Sequence, residues 1–465
     1  MRSFHEISPK AARKMFERPL RGVVEEETTM DGQLKAGAAT TNITPPLGTS
    51  LAGSFMDRKA DDVHNELHAK ALALDNGETK LGIVVCDLIC VGRVYLDQAK
   101  ELIEERCGIP RSNVMICCTH THTGPATDHL LGVERDEGYM AFLVPRIADS
   151  LQLACRRMRE AEIGFGSGVE ESLVFNRRYW MKDGTVRTNP GYQNPDVVRP
   201  AGPVDPEVGV LCVREPDGST IALLANYALH YVGGGSGTAV SADYFAFLAE
   251  TIQQMRGERF VAMLANGACG DVNNVDIHNL PKQRIPYAHA WSVARILACE
   301  VMRIWERMDF APNIRLSAET ETLRVGLRKP SEEEVEEAQR RLKEEEDLKE
   351  RIYAQELLIL KDMADEIETY VQVVTLGDLA LVALSGEMFV ELGLEIKGRS
   401  PFERTAVVEL ANDYVGYVPT RKAFEEGGYE TLMACSSKLA PDAGEQMVEA
   451  AVRLLERASG DAVIG

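Results

Sequence analysis

The tightest constraint on the fold of this chain is a strand, helix, strand succession in its first quarter. Leu81–Leu88 and Val114–Cys118 are short runs rich in β-branched and apolar residues, flanked by turn-forming residues, and such runs read as buried strands. Between them, Val94–Cys107 has a helical pattern closed by Gly108 and Pro110. A strand, a crossover helix and a second strand imply parallel pairing, and ligand sites in such sheets lie beyond the carboxyl ends of the strands.

Later segments continue the alternation. Gly138–Met158 reads as a helix, Val208–Arg214 and Thr220–Leu229 as a hairpin turned at Pro216-Asp217-Gly218, and Phe260–Ala265 as another buried strand. Tyr287–Arg307 is a long amphipathic helix, Thr369–Leu376 and Leu379–Leu384 pair about Gly377-Asp378, and a helix near Gly444–Arg457 closes the chain. The expectation is an α/β fold: a mixed β-sheet core with flanking helices. Residues 1–35 are charged and aperiodic and read as a tail or cap, leaving 36–465 as the main domain. Within it, Pro330–Glu366 is a charged helical excursion opened by the capping box Ser331 to Glu334. This insertion reads as a lid or as a dimer arm, which leaves a homo-oligomer open. No internal repeat is visible.

Composition narrows the function. The chain has 465 residues, 45% hydrophobic and 26% charged, enough for one large domain or two of usual size. A formal net charge of −21 repels polyanions over most of the surface, so nucleic acid is not an expected partner. No apolar stretch reaches the roughly 18 to 20 residues of a membrane helix. The first residues are basic but lack an apolar signal core, and the expected location is cytoplasmic. Ten cysteines without a secretion signal read as reduced thiols, with Cys86, Cys90, Cys117 and Cys118 as core residues.

The segment Thr119-His120-Thr121-His122-Thr123-Gly124-Pro125 follows the strand Val114–Cys118. Two histidines at i and i+2 on an extended segment project to one side, and a pair at a strand end suits zinc or another borderline transition metal. The alternative is a pair of loop histidines with ordinary polar partners. His230 closes the strand-like run Ile221–Leu229 ahead of Gly233-Gly234-Gly235, and Glu387 follows Leu379–Leu384. Either residue could serve a metal or a purely structural partner. Gly270-Asp271-Val272-Asn273-Asn274 is a polar turn after Phe260–Ala265. All four candidates occupy the loop after a strand.

Taken in order, these segments resemble the neutral/alkaline ceramidase family, zinc-dependent amidases that cleave the N-acyl bond of ceramide. The resemblance covers about residues 36–435. It includes Asn42-Ile43-Thr44-Pro45-Pro46, His64-x-x-Leu67-x-Ala69-Lys70-Ala71, the two-histidine segment, Asn176-Arg177, Ala228-Leu229-His230, Gly270-Asp271-Val272, Gly386-Glu387, Tyr414–Thr420 and Tyr429. It implies one zinc per chain ligated by His120, His230, Glu387 and Tyr417, with His122, Arg177 and Tyr429 lining the reacting centre.

On that basis His122 would act as general acid for the leaving amine, Tyr429 or His122 would stabilise the oxyanion, and Arg177 would hold a polar substrate group. Asn273 stands where the family carries a serine, so that hydroxyl is missing, and the amide is read as positioning substrate or water or as a turn residue. The chain also stops soon after Tyr429, without the family's C-terminal β-sandwich domain. The expected chemistry is therefore metal-dependent hydrolysis of an N-acyl bond in a small or amphiphilic substrate other than membrane ceramide. Two alternatives stand beside it: hydrolysis of an ester, lactone or glycosidic derivative at the same site, and a non-catalytic, metal-stabilised binding protein.

Overall fold

A computed structural model describes residues 33–233, 237–280 and 285–463. The expected tail lies outside the described residues as far as residue 32. Leu34 and Lys35 belong to the fold: Leu34 is fully buried and its N–H donates to the Pro312 carbonyl, and the first strand starts at Lys35.

Three sheets with one shared topology carry the chain. The first contains β1 (Lys35–Asn42), β2 (His68–Asp75) and β3 (Lys80–Cys86), then helix α1 (Arg93–Cys107), β4 (Val114–Cys118) and α2 (Glu137–Arg156). The second contains β5 (Glu162–Val169), β6 (Glu207–Arg214) and β7 (Thr220–Tyr227), then α3 (Asp243–Arg256), β8 (Val261–Asn266) and α4 (Ala288–Trp305). The third begins with β9 (Leu316–Gly326), is interrupted by α5 (Glu332–Glu344) and α6 (Leu348–Asp362), and resumes with β10 (Glu366–Leu376) and β11 (Leu379–Ala383). It ends with α7 (Val390–Arg399), β12 (Arg404–Val408) and α8 (Ala443–Val463).

In each sheet the first three strands are antiparallel and the last pair is parallel, joined by a helix. The parallel registers run Gly82 with Val114, Ala222 with Val261 and Leu379 with Arg404. The architecture is thus α/β with mixed sheets, and it contains a threefold topological repeat that the sequence does not display. Different apolar residues fill equivalent pleats, as at Val85 with Cys117, Ala225 with Leu264 and Val382 with Val407, so backbone pairing repeats while side chains do not.

The sheets bury both faces, which is why their strands read as nearly continuous apolar runs. The inner faces meet in a central core that joins Leu72, Ile83 and Met115 to Leu211, Leu224 and Met263 and to Val374, Leu381 and Val408. Each outer face is covered by its own helices: Leu96 and Ile147 on the first sheet, Leu248 and Leu297 on the second, Leu392 and Leu454 on the third. At about 1.5–3 kcal/mol per buried large aliphatic side chain, these layers dominate stability. All ten cysteines are unpaired, and Cys86, Cys90, Cys117 and Cys118 are buried. Among the described residues no helix is long and apolar enough to cross a membrane.

The excursion is a helical hairpin, and Ser331 with Glu334 forms the reciprocal capping box. It is less solvent-facing than its charge suggests. On α5 only Ala338 is buried, but α6 buries Ile352, Ala354, Glu356 and Leu360.

Candidate metal centre

The loops leaving β4, β7, β8, β11 and β12 converge, and His120, His230, Glu387 and Tyr417 each follow one of these strands. His120 adopts the left-handed conformation, with φ 64°. The segment is therefore not extended as its i, i+2 spacing suggested. The chain reverses there while the His120 N–H donates to the Leu88 carbonyl, and histidine is among the residues that tolerate this region. The rings of His120 and His122 nevertheless meet, with centroids 4.9 Å apart, and His230 lies 4.5 Å from the first and 5.0 Å from the second.

Hydrogen bonds orient each ring. The Ile89 carbonyl accepts from His120 Nδ1 at 2.8 Å, so Nδ1 carries the hydrogen and Nε2 keeps a lone pair. Arg177 Nη1 lies 3.2 Å from His230 Nδ1, and His230 Nε2 lies 3.0 Å from His122 Nε2.

Glu387 and Tyr417 sit side by side in a parallel bridge. Gly386 makes this approach possible: its φ is 112°, and a Cβ there would lie 2.5 Å from the Gly416 carbonyl oxygen. Glu387 Oε1 accepts from the Tyr414 hydroxyl at 3.0 Å. Its Oε2 is buried without a hydrogen bond, 3.4 Å from His120 Nε2 and 3.8 Å from His230 Nδ1.

Burial raises the Glu387 carboxyl, but the His120 and Arg177 charges and a hydrogen bond from Tyr417 outweigh it and hold the group below its ordinary value. Burial lowers His120, yet the Glu387 charge lifts it above the ordinary imidazole value. His230 is driven well below that value by burial and by Arg177. His122 is pushed down to about 3 by burial and by His120, with Arg177 and Arg58 adding to the effect. His122 is therefore neutral near pH 7.

Arg177 is buried and makes four contacts inside the protein: Nε on Glu430 Oε1 at 2.7 Å, Nη1 with His230, and Nη2 on the Gly270 carbonyl at 2.7 Å and the Tyr417 hydroxyl at 3.0 Å. It touches both His230 and Tyr417. Asn273 is buried in a short strand that pairs with Phe175–Asn176, its Nδ2 donating to Asn189 Oδ1, 84 residues away, at 2.9 Å and its Oδ1 accepting from the Val275 N–H at 2.9 Å. Tyr429 meets Tyr417 edge to face, with centroids 5.7 Å apart.

Sequence reasoning missed Glu430 and Tyr414 as partners. Glu430 is fully buried between Arg177 and Arg178, and its position beside Tyr429 was the available signal. It also missed Glu409, which accepts from the N–H groups of Cys269 and Met388 at 3.1 and 2.9 Å and whose carboxyl is raised to about 8, chiefly by burial. No local pattern marks that residue.

The donor set could hold a divalent metal ion. One nitrogen from each of His120, His122 and His230 lies within 4.8 Å of the others, the bare carboxylate oxygen of Glu387 faces two of these rings, and a phenol stands beside it. His122 thus belongs to the same cluster as the two histidines assigned as ligands.

No family model matches the chain. Neutral ceramidase from Pseudomonas aeruginosa is 24% identical over 187 residues, a match that spans 38% of this chain but only 27% of that protein. Two solved structures share the fold, each at 18% identity and covering 92% of this chain: neutral ceramidase from P. aeruginosa, with a TM-score of 0.70 over 75% of its chain, and a ceramidase complexed with C2, with a TM-score of 0.71 over 76%. The chain is therefore similar to neutral ceramidase, in sequence over a little more than a third of its length and in fold over nearly all of it.

Proposed function

We propose that the chain is a zinc-dependent hydrolase of an N-acyl amide bond in a small or amphiphilic substrate, with one ion held by His120, His230, Glu387 and Tyr417. Glu387 Oε2 carries this reading. It is a carboxylate oxygen buried without a hydrogen bond and facing two imidazoles, an arrangement that a cation between the carboxylate and the rings would complete. The likeness to neutral ceramidase supports the amide bond as target.

A divalent ion bound there would polarise a carbonyl and make water acidic enough to react near neutrality. The chain's own residues supply the rest. The Ile89 carbonyl and Arg177 hold His120 and His230 in place. Neutral His122 takes a proton at Nε2 as the nucleophile attacks and returns it to the leaving nitrogen. The Tyr429 hydroxyl donates to the developing oxyanion, a contact worth about 2.7–4 kcal/mol in comparable sites.

The test is hydrolysis of a panel of N-acyl amides and matched esters by the wild type, Glu387→Gln and Tyr429→Phe. The wild type should cleave amides, Tyr429→Phe should lose about 100-fold or more in kcat with KM little changed, and Glu387→Gln should lose both activity and bound zinc. Cleavage of the esters alone, or full activity in Glu387→Gln, would overturn the proposal.

A further inference from the structure

A second set of metal donors lies outside this centre. His129, Glu356 and Cys435 bring an imidazole nitrogen, a carboxylate oxygen and a thiol sulfur within 4.8 Å of one another. They come from three distant segments: the loop after the two-histidine turn, α6 of the helical hairpin, and the stretch just beyond Tyr429. Glu356 is fully buried and Cys435 is 7% exposed.

His129 Nε2 lies 2.9 Å from Glu356 Oε1, and His129 Nδ1 lies 3.0 Å from Glu134 Oε1. The Cys435 N–H donates to Glu356 Oε2 at 2.9 Å, while its thiol makes one weak contact, 4.0 Å to the Glu356 carbonyl. An ion pair between His129 and Glu356 explains the first of these contacts but gives the thiol no part.

The geometry points to a structural site for a divalent transition metal, ligated by His129 Nε2, Glu356 and the Cys435 thiolate, with water completing the shell. Imidazole, carboxylate and thiolate together suit zinc or cobalt. Glu134 accepting from His129 Nδ1 is the outer carboxylate partner that ligating histidines usually have, and it leaves Nε2 free to bind. One carboxylate and one thiolate balance the ion's two positive charges, so the buried set is neutral without a protonated imidazole. Binding breaks the S–H bond of Cys435, and the proton passes to solvent. The ion ties α6 to the loop that carries His120 and His122 and to the segment that carries Tyr429, which makes the charged hairpin a fixed wall of the first centre.

Cobalt(II) substitution separates the two sites, because the first centre contains no sulfur donor. The full-length protein, stripped with chelator and reloaded with cobalt(II), should hold two equivalents per chain and show a thiolate-to-cobalt charge-transfer band in the near ultraviolet. Cys435→Ser, which keeps the main-chain bond to Glu356, should lose the band and one equivalent. Glu356→Gln should lose the same equivalent, and His230→Ala should keep the band. A wild type without the band, or a band that survives Cys435→Ser, would overturn the assignment and leave His129 and Glu356 as an ion pair.

Discussion

Replacing Arg177 by methionine tests how the centre is held together. The change removes the cation between Glu430, His230, Gly270 and Tyr417. Glu430, fully buried, keeps the Thr188 hydroxyl at 2.8 Å and Arg178 Nε at 3.7 Å. Removing one partner of a buried pair costs about 3–5 kcal/mol, and because Arg178 remains, Arg177→Met should cost about 3 kcal/mol. Urea unfolding should show this as a lower midpoint at unchanged slope. In Arg177→Met/Glu430→Gln the loss should fall short of the sum of the single losses by at least about 1 kcal/mol, because the stranded carboxylate is gone. Hydrolysis should suffer in kcat more than in KM, since the guanidinium orients His230 and Tyr417. A single variant within about 0.5 kcal/mol of wild type, or strict additivity in the cycle, would refute the idea that this pair organises the site.

Two glycines of similar backbone conformation should respond differently. Gly53 has φ 85° and a Cβ there would lie 2.7 Å from His122 Cβ, whereas Gly48 has φ 90° with nothing within 4 Å. Gly53→Ala should lower hydrolysis at least tenfold, and Gly48→Ala should cost only about 1–2 kcal/mol of stability with activity intact; equal activity in both would contradict the contact. His129 sets a pH dependence of stability in chelator-treated protein. Its imidazole is raised to about 9, chiefly by its hydrogen bond to Glu356, against about 6.5 unfolded. The resulting stabilisation, less than about 3 kcal/mol because solvent screens the half-buried imidazole, is full below pH 6.5 and disappears as pH rises through 9. His129→Ala should flatten that decline, and a decline of equal size in the variant would contradict it.

Much of this architecture is legible in the chain because burial on both faces writes itself as apolar runs. The strand, helix, strand succession from Leu81 to Cys118, the hairpins about Gly218 and Gly377 and the capping box at Ser331 all follow from local chemistry. The threefold repetition is not legible, since the pleats demand apolar volume and not particular residues. At the site, position after a strand singled out His120, His230 and Glu387, and the likeness to a known family brought in Tyr417, Arg177 and Tyr429. What stayed hidden depends on contacts across long sequence separations: the internal contacts of Arg177, the partners Tyr414 and Glu430, and the neutrality of His122 beside His120 and Arg177. Glu356 was hidden by its surroundings, one buried carboxylate in a helix whose composition spells solvent.

The central claim is that hydrolysis depends on an ion held by His120, His230 and Glu387. The most direct test measures metal content and N-acyl amide hydrolysis on the same samples of wild type and His230→Ala. The variant should lose one metal equivalent and its activity together, and chelated wild type should recover activity when zinc is returned. Full hydrolysis by chelated protein, or by His230→Ala depleted of that equivalent, would contradict it.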